Sequence, residues 1–366
     1  MPSKSIKNVL VLGATGSVGP AIVHALTSHP QKYVVSILTR PASLERTRSM
    51  FPDSQIKIFT ADYSSPDVTA EAFKASFENQ DAVVSATATF TVAQQYAIID
   101  AAIASKSVQR FIPSEYGVDT VDSESLKENL PLAYLKTDII SYLQSRESSI
   151  SWSTIITGAF FDWSFQIPGN MGFNVLARTA NIFDGGDIPY EATNLAQIGS
   201  AIAAVLSSTP SAGFPDGTGK GLPMVELTKN KYVYINSFTT TQNAVVSLLE
   251  KYTGSKFQTT AIDRAQASKE GKARAAKSVP KFKTTGNMEY ADGVAEMIFA
   301  AIYGQGNLNH YSKTKGLWND ALGLKADDLE ESVKGVALDW KKKEESTTDK
   351  KSLDPFSHTI SLPTAK

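Results

Sequence analysis

The chain has 366 residues, of which 42% are hydrophobic and 20% charged, and its formal net charge is −1. This balance is typical of a globular protein with a substantial core, and it excludes a global field that would recruit nucleic acid or a membrane surface. The chain has no cysteine, which excludes disulfides, thiolate catalysis and cysteine–zinc sites.

The first residues are polar and lead directly into a predicted strand, Asn8–Leu12, and no apolar run reaches the length of a transmembrane helix. None of the four histidines stands at metal-ligand spacing from another, so no metal site is predicted. We therefore expect a cytoplasmic protein, monomeric or homodimeric, that binds neither membrane nor nucleic acid.

A glycine-rich turn follows this first strand and opens a helix-like stretch. A dinucleotide pyrophosphate requires such a turn, because glycine lets the backbone approach the phosphates and the helix N-terminus offers unpaired N–H groups. The residues predicted to hold the cofactor here are Gly13, Thr15, Gly16, Ser17, Val18 and Gly19.

The second predicted strand, Tyr33–Thr39, is followed at once by Arg40. Dinucleotide enzymes that use NAD usually place an acid at this position, on the ribose hydroxyls, whereas an arginine suits the 2′-phosphate of NADP. The sequence therefore predicts NADP(H) as the cofactor.

Strands and helices continue to alternate over the first 155 residues. The later strands are short, apolar and rich in Val and Ile, which is typical of a buried parallel sheet; they are predicted at Ile56–Thr60, Ala82–Ala86, Gln109–Pro113 and Ser151–Ile156. The predicted fold is α/β, a Rossmann-type doubly wound sheet with ligands at the strand C-termini. Thr87 is assigned to the cofactor, and Asp62 either caps a turn or borders the adenine.

The pattern loosens after Ile156. Residues 158–190 are rich in aromatic residues and glycine without a long period, which indicates loops over a cleft. We predict an NADP-binding domain over 1–157, a smaller α/β substrate lobe over 158–340 whose chain returns to the sheet, and a solvated tail over 341–366.

Short-chain dehydrogenases use a Tyr-x-x-x-Lys pair on one helix. Tyr252 to Lys256 fits this spacing, but it crosses a glycine and lies far beyond the glycine turn, so we attribute the match to chance. The proton chemistry of an oxidoreductase on this fold must then be arranged differently.

Three segments resemble the isoflavone reductase-like family of atypical short-chain dehydrogenases, which includes the NmrA-like proteins. They are the turn 13–19, the strand and loop Arg110-Phe-Ile-Pro-Ser-Glu-Tyr-Gly117, and Lys136 on the next predicted helix, Pro131–Ser145. The run from Ile155 to Trp163 looks like the fungal-type branch. The resemblance implies NADP as cofactor and a lysine, which maps onto Lys136, in place of the Tyr/Lys pair.

A physical reason for this role exists beside the resemblance. A lysine on the helix after the fifth strand can face the edge of the sheet where the nicotinamide would lie, and partial burial there lowers its pKa. Lys136 is therefore predicted to act as general acid or base and to contact the cofactor.

Aromatic side chains follow the fourth and sixth strands, and flat aromatic walls suit an aromatic substrate. The predicted substrate residues are Phe90, Tyr116, Phe160, Phe161, Trp163 and Tyr303, the last closing the pocket from the second lobe. Ser114 and Tyr116, at the end of the fifth strand, can bond the ribose, the carboxamide or the substrate.

These patterns predict an NADPH-dependent reductase of an aromatic or conjugated small molecule, phenylpropanoid- or polyketide-like. One alternative is a dinucleotide-sensing regulator of the NmrA-like kind, without turnover. Another is a non-redox enzyme on the same scaffold. The presence of Lys136 favours an enzyme, because a sensor has no need of a lysine there.

Overall fold

The structure is a computed structural model that describes residues 5–63, 68–88, 94–121, 130, 134–285, 292–304 and 309–346. Its strands are β1 (Asn8–Leu12), β2 (Val34–Thr39), β3 (Lys57–Thr60), β4 (Ala82–Ser85), β5 (Arg110–Ile112), β6 (Ser151–Ile156), β7 (Ala159–Phe160), β8 (Phe173–Asn174), β9 (Thr179–Phe183), β10 (Tyr190–Thr193), β11 (Lys231–Tyr234), β12 (Phe238–Thr240) and β13 (Gln258–Ile262). Its helices are α1 (Gly19–Ser28), α2 (Leu44–Met50), α3 (Lys74–Phe77), α4 (Gln95–Ser105), α5 (Tyr134–Gln144), α6 (Phe161–Ser164), α7 (Leu195–Val205), α8 (Met224–Leu227), α9 (Gln242–Thr253), α10 (Arg264–Thr285), α11 (Val294–Ile302), α12 (Tyr311–Thr314) and α13 (Leu329–Ser346).

Seven parallel strands form the main sheet, in the order β11-β6-β5-β4-β1-β2-β3. The chain first winds outward from β1 through β2 to β3 and then crosses back to β4 on the other side of β1. This topology confirms the predicted Rossmann-type fold. Ligands of such sheets bind beyond the strand C-termini where the winding reverses, which here is between β1 and β4.

Alternate residues of β1 point into two different cores. Val9 and Val11 pack with α1 and α7 on one face of the sheet, and Leu10 and Leu12 pack with α3, α4 and α5 on the other. All four side chains are fully buried. Since both faces are covered by helices, β1 is apolar on both of its sides, as is common in buried parallel sheets.

The second half of the chain contributes to the main sheet and also builds a core of its own. Strand β11 pairs with β6 as the seventh strand, and α7 packs on α1. The remaining strands form two three-stranded sheets, β12-β10-β7 and β13-β9-β8. Residues 158–190, which were expected to be loops, therefore contain strands. Strands β7 and β8 have two residues each, too few to show a period, whereas β9 has five residues and the sequence analysis missed it as well.

Helix α13 extends beyond the point at which the sequence predicts a tail. Trp340 is buried and its indole N–H donates to the Phe165 main-chain oxygen at 2.7 Å. Residues 341–346 continue the helix, and Glu344 pairs with Arg178 at 3.1 Å. Residues 347–366 lie outside the described residues.

The contact between α1 and α7 supports a test of this packing. A Cβ at Gly199 would lie 2.3 Å from the Ala21 main-chain oxygen. Gly199→Val should therefore force the two helices apart and lower the free energy of unfolding by on the order of 3 kcal/mol, as overpacked cores do. Urea unfolding measures it. Ser200→Val, on the exposed face of the same helix, is the control and should change stability by less than about 1 kcal/mol. Equal stability of the two variants would contradict the close packing.

Candidate functional site

The three glycines of the turn after β1 have different surroundings. Gly13 has φ +74°, and a Cβ there would lie 2.2 Å from the Ala86 main-chain oxygen. A Cβ at Gly19 would lie 2.4 Å from the Ala14 oxygen. At Gly16 the nearest atom is the Gly13 oxygen at 3.2 Å. Gly13 and Gly19 are thus required for backbone packing, whereas Gly16 is exposed and leaves space above the turn.

Helix α1 begins directly after this turn, without a side-chain cap at Val18. Pro20 stands in the first turn, where its missing N–H costs nothing and its fixed φ suits the helix. Ser17 is exposed, Thr15 is half-buried and the Val18 side chain is in the core. An uncapped helix N-terminus beneath an open glycine is suited to a phosphate.

Arg40 and Asp62 are both exposed and follow β2 and β3 at the same edge of the sheet. Tyr63, which the sequence analysis did not select, lies between Arg40 and the glycine turn. Burial raises the pKa of its phenol, and the charge of Arg40 and a hydrogen bond with the Gly13 backbone oppose that rise. Arg40 is therefore close to the turn where phosphates would bind.

The residues after β4 and β5 are joined by hydrogen bonds. Ser114 Oγ donates to the Thr87 main-chain oxygen at 2.7 Å, and the Ser114 N–H donates to Gln95 Oε1 at 3.0 Å. The Tyr116 hydroxyl donates to the Ser85 oxygen at 3.1 Å. Burial raises the pKa of Tyr116 well above its ordinary value, so its phenol stays protonated. Phe90 lies outside the described residues.

Lys136 lies on α5 and its amine reaches the loop after β5. Lys136 Nζ donates to the main-chain oxygens of Glu115 at 3.0 Å and Tyr116 at 3.1 Å. Burial lowers the pKa of Lys136, and the charge of Glu115 opposes this effect. The structure therefore places the amine at the C-terminal edge of β5, beside the residues that connect to β4.

Glu115 is a second ionisable group here that sequence reasoning missed. Its side chain is fully buried, Oε2 accepts from the Thr120 hydroxyl at 3.1 Å, and Oε1 has no hydrogen-bond partner. Burial raises the pKa of Glu115 to about 7, although Lys136 and Thr120 favour the charged form. Glu115 lies next to Tyr116 in the segment 110–117, which carries the family resemblance, and this position was the signal that could have pointed to it. The segment does not show, however, that the acid is buried.

The aromatic residues after β6 divide into two groups. Phe160 and Trp163 are half-buried and meet edge to face with ring centroids 6.1 Å apart. Phe161 and Tyr303 are buried in the second core, and the Tyr303 hydroxyl donates to the Met171 oxygen at 2.8 Å. Phe160 and Trp163 can therefore line a surface, while Phe161 and Tyr303 have packing roles; substrate contact by any of the four stays a prediction.

Two main-chain hydrogen bonds connect the aromatic segment to the Lys136 loop. The N–H groups of Thr157 and Gly158 both donate to the Gly117 oxygen, at 3.1 and 2.8 Å. Gly158 has φ +61° and approaches the Glu191 backbone too closely for a Cβ. The chain between β6 and Phe160 is thereby fixed next to the residues that bind the lysine amine.

None of the helices described above combines the length and hydrophobicity that crossing a bilayer requires. The described ranges also bring together no group of three or more histidines and carboxylates suited to a metal ion. The turn, Arg40, Ser114 and Lys136 offer backbone N–H groups, hydroxyls, a guanidinium and an amine.

Comparison with known proteins gives matches that include this edge of the sheet. The model of the NmrA-like family matches residues 5–178. Oxidoreductase aprR of Aspergillus flavus is 32% identical over 257 residues, which are 70% of this chain and 77% of that protein. Isoflavone reductase homolog P3 of Arabidopsis thaliana is 26% identical over 269 residues, or 71% and 79% of the two chains.

Among solved structures, the binary complex of leucoanthocyanidin reductase with NADPH from Vitis vinifera has a TM-score of 0.59 and 18% identity, and the match covers 81% of this chain and 86% of that one. At this identity the likeness establishes a shared fold. The family model spans both the glycine turn and Lys136, and the Aspergillus relative is matched over most of its length. The chain belongs to the NmrA-like family, as its sequence resemblance predicted.

Proposed function

We propose that the protein is an NADPH-dependent reductase of an aromatic or conjugated small molecule, with Lys136 as its general acid or base. The observation that carries the proposal is the position of a half-buried lysine and an open glycine turn at the same edge of one parallel sheet. Three of the similar proteins support the same activity. They are the Aspergillus oxidoreductase, the Arabidopsis isoflavone reductase homolog and the Vitis reductase solved with NADPH, which shares the fold.

The residues at the winding reversal fit NADPH. The N–H groups at the start of α1 would bind the pyrophosphate, and the open side of Gly16 admits it. Arg40 would pair with the 2′-phosphate, which prefers a guanidinium. Thr87 and Ser114 lie on the way from the turn to Lys136 and would contact the ribose and carboxamide.

NADPH would supply a hydride, and the protein must then supply a proton. The ammonium form of Lys136 has three N–H groups, of which two are donated to the oxygens of Glu115 and Tyr116. The third is left for the substrate. After that proton leaves, the neutral amine keeps both main-chain hydrogen bonds, so the geometry suits both protonation states.

The half-buried rings of Phe160 and Trp163 would contact a flat substrate. Main-chain hydrogen bonds to Gly117 fix their segment beside the lysine loop. Aromatic pairs of this kind bind aromatic or conjugated molecules through stacking and apolar contact.

Gly16→Val tests the phosphate site. The added side chain would occupy the space above the turn, where its Cβ would lie 3.2 Å from the Gly13 oxygen and 3.6 Å from the Ala86 oxygen. NADPH affinity, measured by fluorescence titration, should fall about 10- to 100-fold through the loss of charge-assisted hydrogen bonds. Gly335→Val in α13, where a Cβ meets nothing within 4 Å, should bind normally. Normal binding by Gly16→Val would place the cofactor elsewhere.

Arg40→Asp tests the choice of cofactor. Loss of the guanidinium and addition of a repulsive charge should weaken NADPH by on the order of 2–4 kcal/mol and NADH far less. Arg48→Asp makes the same charge change at an exposed residue paired with Glu45, and should leave both affinities within about threefold. Equal weakening of NADPH and NADH in Arg40→Asp would count against the 2′-phosphate contact.

Lys136→Ala tests the catalytic role. Turnover should fall about 10²–10⁴-fold, the usual contribution of a general acid or base, while NADPH affinity stays within a few-fold. Because an ammonium donates its proton only below its pKa, the rate of the parent should fall as pH rises through the pKa of Lys136, and this limb should vanish in the variant. Lys136→Arg should not restore turnover, because a guanidinium keeps its proton.

These kinetics require a substrate, and a panel of phenolic, enone and quinone-type compounds assayed by NADPH consumption provides the screen. Full activity of Lys136→Ala on any substrate found would overturn the role of the lysine. Tight NADPH binding with no turnover across the panel would favour the cofactor-sensing regulator or the non-redox enzyme instead.

A further inference from the structure

The carboxyl group of Glu115 is a buried acid to which the proposed mechanism gives no part. It is fully buried, and one of its oxygens, Oε1, has no hydrogen-bond partner. An ionised carboxylate in such a place is costly unless a nearby positive charge compensates it. Glu115 therefore requires an explanation that packing alone does not give.

The positive charge nearest in the local network is Lys136. The lysine amine is bonded to the main-chain oxygen of Glu115, and the two side chains interact electrostatically. A nearby carboxylate favours the charged form of an ammonium. Burial of Lys136 acts in the opposite direction, so the carboxylate counteracts desolvation of the amine.

Two tyrosines near the pair are held in one protonation state. Tyr116, adjacent in the chain, and Tyr232, on β11, both have pKa values raised by burial and by the charge of Glu115, so both phenols stay protonated. Asp119 accepts hydrogen bonds from the Tyr234 hydroxyl and the Val121 N–H at 3.1 and 2.9 Å. Glu115 and Lys136 are left as the two groups whose charges depend on each other.

We propose that Glu115 is a positioning residue for Lys136: its buried carboxylate, fixed by the Thr120 hydroxyl, holds the lysine amine in the ammonium form that a proton donor requires. The inference rests on the proposed reductase function. In that reaction hydride adds to one substrate atom, and one proton passes from the Lys136 ammonium to the atom that gains the electron pair. The lysine is left neutral and regains a proton from solvent, while Glu115 transfers none.

The test measures Lys136 directly in the protein without cofactor or substrate. Lysine labelled with ¹³C at the ε carbon is incorporated biosynthetically, and the Lys136 signal is assigned by its absence in Lys136→Arg. Its chemical shift is then followed as a function of pH. In Glu115→Gln the pKa of Lys136 should fall by about one unit or more, because the attractive charge of the carboxylate is lost.

Three further variants distinguish the effect of the Glu115 charge on Lys136 from the effect of a structural change. Glu115→Asp keeps the charge and should retain most of the parent pKa. Thr120→Val removes the hydrogen bond to Oε2 and should lower the pKa of Lys136 less than Glu115→Gln does. Asp81→Asn removes another buried carboxyl, one that binds the Lys7 and Asn8 N–H groups at the opposite end of β4, and should leave Lys136 unchanged.

An unchanged Lys136 titration in Glu115→Gln would overturn the inference, as would an equal shift in Asp81→Asn. If Glu115→Gln does not fold, Thr120→Val decides by itself, and an unshifted Lys136 there has the same meaning. Because no turnover is needed, the two proposals fail separately: a shifted lysine in a protein that reduces nothing would contradict the reductase function and support the Glu115–Lys136 coupling.

Discussion

The close contact between the glycine turn and the end of β4 is the constraint on which the site depends. Because Gly13 has no side chain, the turn reaches the Ala86 main-chain oxygen, and α1 starts beside the winding reversal. The next residue of that segment, Thr87, accepts from Ser114 on the loop after β5, and the same loop binds the Lys136 amine. The glycine turn and the Lys136 amine are thus joined through one short path of backbone.

Much of this framework could be predicted from sequence. The parallel strands, the turn at 13–19 and Arg40 follow from local patterns, because each strand is an apolar run bounded by polar or glycine residues. Lys136 was assigned through the resemblance to a family. The sequence could not show which glycines are needed for backbone packing and which leave space for a ligand, because this depends on where β4 ends. It also could not show that Phe161 and Tyr303 are buried while Phe160 and Trp163 are half-exposed, because the four residues are equally apolar in the chain.

The unpredicted features of the site share a physical origin. Tyr63 and Glu115 are both buried polar side chains whose surroundings come from distant parts of the chain. The sequence around each is unremarkable in period and charge, and only the folded structure reveals the missing partner of Glu115 Oε1. Groups of this kind, where local rules fail, are where function is commonly found in proteins.

The return of the chain to the main sheet has a consequence for how the protein can be divided. Strand β11 covers the edge of β6, and α7 covers α1, although both come from beyond residue 190. A fragment ending near residue 157 would leave a strand edge unpaired and an apolar helix face in water, a combination that promotes aggregation. The first 157 residues therefore gain their last sheet neighbour only when the chain up to Tyr234, the end of β11, has been made.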